Sequence, residues 1–305
     1  MKIASLLFGW AALFCAFPAS AQENIKLLYT PGVGFVASYV AEDQGYFKAR
    51  GLDVGFTPTP ISSNIIPIVV SGEAQIGGVT IVSMLQANDN GLDLVLVGGG
   101  VVSPQPGSIF VARTGVDIEK PADLKGKTVG VPGIGASAHI ILRRVLEMNG
   151  VDSASVKFVE VGYPQAAEML KSGQIDAYPI VPPFTGRVLQ SGAAKEVANW
   201  PDPEPDGTPS VVYAATRKWA LAHRPQIEAW RDAMKEAVAY IKAHPQEAYP
   251  SVATYTKLPP EVATSIPMPI LDVDLTPKQV QFWIDLAKEE NIIKNAPDAR
   301  SLLVP

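Results

Sequence analysis

The same short turn occurs twice in this sequence, each time between a strand-like run and a helix-like run. Segments 32–37 and 133–138 read G-V-G-F-V-A and G-I-G-A-S-A, so both have the form G-x-G-x-x-A. The helix predicted after each turn ends at a glycine that precedes an apolar residue and an aspartate, at Gly51 and at Gly150. A helix start presents free N–H groups and the positive end of the helix dipole, which favour anions. We therefore predict two similar α/β lobes whose turns clamp an anion.

The rest of the chain alternates between strand and helix signals. Near-continuous apolar runs such as 92–97 suit strands of a mostly parallel sheet that is covered on both faces. The predicted helix over 138–146 carries apolar residues at helical spacing, while Arg143, Arg144 and Glu147 lie on its other face. The pattern predicts sheets flanked by helices.

Two extended segments, 108–113 and 210–216, flank the middle of the chain. We expect them to be the two crossing strands of a hinge, with the middle lobe inserted into the first. The predicted division is an export signal over 1–21, the first part of lobe 1 over 22–107, lobe 2 over 108–212, and the second part of lobe 1 with the C-terminal helices over 213–305.

The N-terminus has the pattern of an export signal. Lys2 is followed by an apolar run over 3–17, and 19–21 read A-S-A, the form of a cleavage site. The alternative is an uncleaved anchor. We predict a periplasmic protein, and the single cysteine, Cys15, lies inside the predicted signal. The mature chain would then have no disulfide, no zinc–thiolate site and no cysteine nucleophile.

Charge and histidine spacing exclude further classes. The chain has 25 basic and 30 acidic side chains, with a formal net charge of −5, and no basic cluster. Nucleic acid is therefore not expected as a partner. His139, His223 and His244 are not spaced as a metal site. We predict no metal, no cofactor and no catalytic residue.

The form G-x-G-x-x-A after a strand is also the fingerprint of dinucleotide-binding proteins. That interpretation needs an acidic residue about 20 residues further on, and Asp53 and Glu160 lie near that distance. Asp53, however, comes at the start of its predicted strand rather than at the carboxyl end. Export also argues against a nicotinamide enzyme.

Five segments together resemble the NMT1/THI5-like solute-binding proteins of ABC importers, which include sulfonate, taurine, nitrate and pyrimidine binders. They are AEDQGYFKARGLDV at 41–54, SGEAQIG at 71–77 (with Gln75 where Asp is usual), ADLKGKTVGV at 122–131, GASAH at 135–139 and LKSGQIDA at 170–177. The resemblance implies a two-lobed periplasmic-binding-protein fold of type II-like topology, in which each lobe is a mostly parallel sheet flanked by helices and two strands form the hinge.

The resemblance also implies a function without a chemical step. We expect a monomeric receptor that captures a small-molecule ligand, a small organic or oxo-anion, between its lobes and delivers it to an ABC permease in the inner membrane. One alternative is an exported enzyme on the same fold, acting on a small heterocyclic or sulfur compound. The enzymes that resemble this family look cysteine-dependent, and the mature chain has no cysteine. A receptor that feeds a membrane sensor is another alternative.

Candidate ligand contacts are the polar and aromatic residues that follow predicted strand ends. Each has a structural alternative: Phe35 could staple its helix, Thr80 could be a helix cap, and an aromatic side chain could belong to the core. Ser137 is the central prediction, because its hydroxyl and the turn N–H groups point the same way. The predicted ligand-binding residues are Gly34, Phe35, Ser62, Ser63, Asn64, Thr80, Gly135, Ser137, His139, Tyr163 and Phe184.

Overall fold

The computed structural model of this chain describes residues 23–59, 62–198 and 200–304. The predicted export signal lies outside the described residues. Among the helices of the described ranges, none is long and apolar enough to cross a membrane.

Ten strands in the described part of the chain form two sheets of five strands, and the sheets share one design. The first has the order β2-β1-β3-β10-β4 and the second β7-β6-β8-β5-β9. In each sheet three neighbouring strands are parallel, and the fourth in the order runs antiparallel to both of its neighbours. The strands are β1 (Glu23–Tyr29), β2 (Leu52–Pro58), β3 (Ile76–Val79), β4 (Leu94–Gly99), β5 (Ile109–Arg113), β6 (Thr128–Val131), β7 (Lys157–Glu160), β8 (Ala177–Ile180), β9 (Ala194–Glu196) and β10 (Val212–Thr216).

Helices connect the parallel strands and cover the sheets. The helix predicted after the first turn begins at Val36, because a 3₁₀ turn, Val33–Phe35, precedes it. It ends at Asp43 rather than at Gly51, and a second 3₁₀ turn, Lys48–Arg50, leads to that glycine. The α-helices are α1 (Val36–Asp43), α2 (Ile65–Ser71), α3 (Ile81–Asp89), α4 (Ser137–Met148), α5 (Ala166–Lys171), α6 (Phe184–Gln190), α7 (Arg217–Ala222), α8 (Arg224–Ala243), α9 (Tyr249–Thr256), α10 (Pro260–Ala263) and α11 (Pro277–Glu289).

The chain passes twice between the two sheets. The strands predicted as the hinge do not cross: β5 lies wholly in the second sheet and β10 wholly in the first. The crossings are the segments that precede these strands, and they pair with each other. The N–H of Ser103 donates to the carbonyl of Thr208 at 2.8 Å, and the N–H of Gly207 donates to the carbonyl of Ser103 at 2.7 Å. The domain limits at 107/108 and 212/213 stay a prediction.

Each half buries apolar residues on both faces of its sheet. In the second half, Leu142 and Leu146 of α4 pack with residues of β5 and β6, as the apolar spacing of this helix predicts. In the first half, Trp230 of α8 packs edge-on against Tyr213 of β10, with ring centroids 4.8 Å apart. These cores fix the strand ends, and the turns that follow β1, β3, β6, β7 and β8 carry most of the candidate residues.

Candidate functional site

The turn after β6 contains the strongest candidate contact. Ser137 is the first residue of α4 and only 6% exposed, and its Oγ has no hydrogen-bond partner among the described residues. The N–H groups of the first turn of a helix have no partner within the helix, and Ala136, the N-cap, supplies no side-chain cap. An unsatisfied buried hydroxyl costs about 1–3 kcal/mol. A ligand oxygen at this helix start would satisfy the hydroxyl and the N–H groups together.

The rest of this turn is not bare, which corrects the expectation from sequence. The Gly135 N–H donates to Nδ1 of His139 at 2.9 Å, and the Ile134 N–H donates to Oε2 of Glu160 at 3.2 Å. The Ala136 N–H donates to the carbonyl of Gly133 at 3.2 Å. These three donors are already used, so the capacity to bind an anion is confined to the first turn of α4.

His139 shapes the turn as a neutral ring. It is 7% exposed and meets Phe158 edge to face, with centroids 4.5 Å apart. Burial, and then the nearby Arg143, lower the pKa of His139 to about 4. Because Nδ1 accepts the Gly135 N–H, the proton of the neutral imidazole is on Nε2. His139 therefore holds the backbone of the turn, and its remaining polar atom is a donor.

The turn after β1 packs into the core. Phe35 is 6% exposed, and its ring lies 5.9 Å from the ring of Tyr213 and 5.7 Å from that of Tyr29. A Cβ on Gly78 of β3 would lie 2.1 Å from the Phe35 ring, so glycine is needed there. Gly34 faces the crossing segments, because a Cβ on it would lie 3.4 Å from the side chain of Val101. These contacts with β1, β3 and β10 make Phe35 a core residue, and its role toward a ligand stays a prediction.

The candidates after β3 and β2 have structural roles or lie at an edge. Oγ1 of Thr80 accepts the N–H of Ser83 at 3.3 Å, so Thr80 caps α3. Ser62, Ser63 and Asn64 form an exposed 3₁₀ turn after β2, the edge strand of the first sheet. Asn64 is the N-cap of α2 but makes no side-chain cap bond. The hydroxyls and the amide of this turn are therefore accessible, and their role toward a ligand stays a prediction.

Tyr163 and Phe184 come together, although they follow different strands. Their rings stack with centroids 5.5 Å apart and an angle of 9° between the planes. Both side chains are half-buried, and Tyr163 also meets Tyr178 of β8 edge to face at 5.9 Å. Because the two rings stack on each other, a ligand would contact the outer surface of the pair rather than enter between them.

Two buried hydroxyls lie outside the set predicted from the sequence, although the sequence contains a signal for them. Oγ1 of Thr30 and Oγ of Ser108 have no hydrogen-bond partner among the described residues. Thr30 directly follows β1. Ser108 directly precedes β5, whose first residue, Ile109, pairs with Ile180 at the end of β8. Both residues therefore lie at the same strand ends as the predicted contacts, and hydroxyls flanking predicted strands could have been selected on that basis.

Gln86 of α3 is a third residue that the sequence did not point to. A Cβ on Gly135 would lie 3.3 Å from Oε1 of Gln86, so the turn after β6 touches the first half directly. Gly135 has φ +79°, a conformation that strains other residues. Replacing Gly135 with valine would therefore distort the turn itself, and this substitution is not a clean test of ligand contact.

The turns that carry the candidates contain no basic side chain. Segments 30–35, 132–139, 161–165 and 181–185 have neither lysine nor arginine. Any anionic group would be held by N–H groups and hydroxyls, while the carboxylate of Glu160 lies beside the turn after β6.

Comparison with known proteins agrees with this geometry. Residues 33–248 match the family model described as NMT1/THI5 like. The chain belongs to the NMT1/THI5-like family. The resemblance inferred from the five sequence segments is thus confirmed.

Three similar proteins show the range of this family. The formylaminopyrimidine-binding protein of Halalkalibacterium halodurans is 32% identical over 188 residues, 58% of this chain and 54% of that protein. A 4-amino-5-hydroxymethyl-2-methylpyrimidine phosphate synthase of Aspergillus parasiticus is 23% identical over 75% of this chain and 68% of its own length. The structure of the alkanesulfonate-binding protein SsuA from Xanthomonas axonopodis pv. citri, bound to MOPS, superposes with a TM-score of 0.77 at 20% identity, covering 94% of this chain and 99% of that one.

These likenesses confirm the α/β periplasmic-binding-protein fold. Two of the similar solved structures are of sulfonate-binding proteins, at 20% and 21% identity to this chain. The alignment to the pyrimidine-binding relative spans about half of its length, and synthases occur among the relatives.

Proposed function

We propose that this chain is the exported receptor of an ABC importer, which binds a small solute between its two halves and delivers it to a permease of the inner membrane without changing it. The observation that carries the proposal is the buried hydroxyl of Ser137 at the start of a 12-residue helix, which has no hydrogen-bond partner within residues 23–59, 62–198 and 200–304. Thr30 and Ser108 place two further hydroxyls without a partner in those ranges at strand ends.

We propose that the ligand has an anionic oxygen group, such as a sulfonate or carboxylate. The helix start offers N–H groups, a hydroxyl and the positive end of a dipole, and these bind such a group without a cationic side chain. The half-buried ring pair of Tyr163 and Phe184 offers an apolar surface for the rest of the ligand.

The absence of a chemical step is also part of the proposal. Relatives named as synthases make an enzyme the competing function. His139 is the predicted site residue that could act as a base, and its state supports a receptor. Its Nδ1 already accepts the Gly135 N–H. A neutral imidazole held in this way is a poor general base, because its remaining nitrogen carries the proton.

Calorimetric titration with MOPS, methanesulfonate, nitrate, benzoate and an aminopyrimidine tests the proposal. We expect one of the anions to bind, and we expect Ser137→Ala to weaken that binding about tenfold, which corresponds to about 1.4 kcal/mol. Ser265→Ala is the matched control, because its exposed hydroxyl donates only to the nearby carbonyl of Val262. Mass spectrometry of the bound compound after release should return it unchanged.

Three results would contradict parts of the proposal. Binding that is equally strong in wild type and Ser137→Ala removes the helix start as the site. Binding of the aminopyrimidine but of none of the anions removes the anionic class. Conversion of the bound compound would favour the enzyme.

A further inference from the structure

α4 contacts both halves of the molecule. Leu142 and Leu146 pack in the second half, but Ile140 is fully buried in an apolar cluster whose other buried members all belong to the first half. Together with the approach of Gln86 to Gly135, this contact shows that α4 lies against α3. The start of α4, where Ser137 lies, is thus positioned by both halves.

Two arginines on the polar face of α4 form ion pairs with the C-terminal end of α11 in the first half. Arg143 Nη2 lies 3.0 Å from Oε2 of Glu290, which directly follows α11 in the first half. Arg143 Nη1 also donates to the carbonyl of Glu290 at 3.3 Å, where a cation is favoured by the helix C-terminus. Arg144 pairs with Glu289 at 3.1 Å.

The two ion pairs differ in burial, and this difference decides how strongly each one holds α4 against the first half. The side chain of Glu290 is 0% exposed, and that of Arg143 is 24% exposed. The second pair has 39% of Arg144 and 55% of Glu289 exposed. Exposed ion pairs contribute little, whereas removing Arg143 leaves the buried carboxyl of Glu290 without its cation. That carboxyl must then take up a proton or regain water, and moving α4 away from α11 would give it water.

We propose that Arg143 is a positioning residue for ligand binding, which acts by holding α4, and Ser137 at its start, against the first half through Glu290. The proposal rests on the proposed function, because the position of α4 affects ligand affinity only if the ligand contacts Ser137. We call the form in which α4 lies against α11 closed. Loss of Arg143 therefore favours an open form in which α4 has left α11. The affinity for a ligand then falls with the fraction of molecules that stay closed.

Distance measurements between spin labels test this without a ligand. The described residues contain no cysteine, so Met148→Cys on α4 and Leu221→Cys in α7 of the first half, both exposed, give two labelling sites. We expect a single short distance in this background. In Arg143→Ala we expect a longer population and at least a tenfold lower ratio of closed to open molecules. Arg143→Met serves in place of Arg143→Ala if that variant does not fold.

Two controls separate positioning from general damage. Arg144→Ala should change the ratio less than about twofold, because its pair is exposed. Adding Glu290→Gln to Arg143→Ala should restore most of the closed population, because an amide that cannot ionise then replaces the buried carboxyl that has lost its cation. A loosened fold would not be rescued in this way.

MOPS is the probe for the coupling to binding. Its affinity should fall in Arg143→Ala in proportion to the closed fraction measured by the labels. Wild-type distances and affinity in folded Arg143→Ala would overturn the proposal, and so would a loss of affinity with unchanged distances. If MOPS binds to no variant, the sulfonate class in the proposed function fails, and the distances still decide the role of Arg143.

Discussion

The two G-x-G-x-x-A turns look alike in sequence but differ in what their equivalent positions do. Val36 of the first turn corresponds to Ser137 of the second. Val36 is fully buried among apolar residues, whereas Ser137 has a buried hydroxyl without a partner in the part of the chain that the structure describes. Ser38 corresponds to His139. The hydroxyl of Ser38 donates back to the Phe35 carbonyl at 2.7 Å, and the ring of His139 accepts the Gly135 N–H at 2.9 Å.

The difference teaches that the motif fixes a backbone shape and not a binding site. In both halves the turn joins the second strand in the order of the sheet to a helix. In the first half the residue after the second glycine is Phe35, whose ring fills the space above Gly78. In the second half the equivalent residue is Ala136, which fills no such space, and the polar side chains that follow determine what the turn can bind.

The largest effect on stability should come from removing the ring of Phe35, which packs the first turn into the core. Phe35→Ala should lower the free energy of unfolding by about 3–5 kcal/mol, because it leaves a cavity among Tyr29, Tyr213 and Gly78. Denaturant unfolding measures this loss. Ala136→Gly in the second turn is the counterpart and should cost less than about 1 kcal/mol. A loss below about 1 kcal/mol for Phe35→Ala would mean that the two turns are alike after all.

The next largest effect should come from adding a hydroxyl at the start of the first helix, compared with removing one at the start of the second. Val36→Thr keeps the shape but buries a hydroxyl, so it should lower the free energy of unfolding by about 1–3 kcal/mol. Ser137→Ala removes a hydroxyl that has no partner in the described residues, so stability should stay the same or rise by about 0.5 kcal/mol. The same unfolding experiment measures both variants. Equal destabilisation by the two changes would show that Ser137 is an ordinary structural residue.

The sequence predicted the features that depend on local pattern. Strand and helix periodicity is local, so the order of elements and the two-sheet fold followed from it, and the five family segments supported the same fold. The buried hydroxyl at Ser137 lies where a strand–turn–helix pattern places it.

What the sequence did not predict depends on contacts between distant parts of the chain. Gln86 approaches Gly135 from the other half, and Arg143 meets Glu290 across 147 positions. No periodicity reports such pairs, so the sequence placed Arg143 and Arg144 on the polar face of α4 without indicating their partners. The role of Phe35 was ambiguous for a related reason, because it depends on Gly78 in a different strand.

The last effect appears only in acid, and it distinguishes His139, which holds the second turn, from Ser38, its counterpart in the first. Burial lowers the pKa of His139 from 6.5 to about 4, so the folded protein binds this proton less tightly than the unfolded chain. The contribution of the neutral ring is complete above about pH 6.5 and is lost as the pH falls toward 4. Between these values the free energy of unfolding should fall by up to about 1.4 kcal/mol per pH unit. Ser38 does not titrate, so the first turn has no such dependence.

His139→Asn isolates this effect, because the amide oxygen can accept the Gly135 N–H but does not titrate. Urea unfolding of both proteins from pH 7.5 to 4.5 gives the difference between their profiles. The comparison is needed because Glu290 acts in the opposite direction: burial raises its pKa from 4.5 to about 7, so its contribution to stability grows as the pH falls through that range. Subtracting the variant cancels Glu290 and leaves His139 alone. Parallel profiles for wild type and His139→Asn would mean that the imidazole is not held neutral, and the second turn would then owe its shape to Gly135 rather than to the histidine.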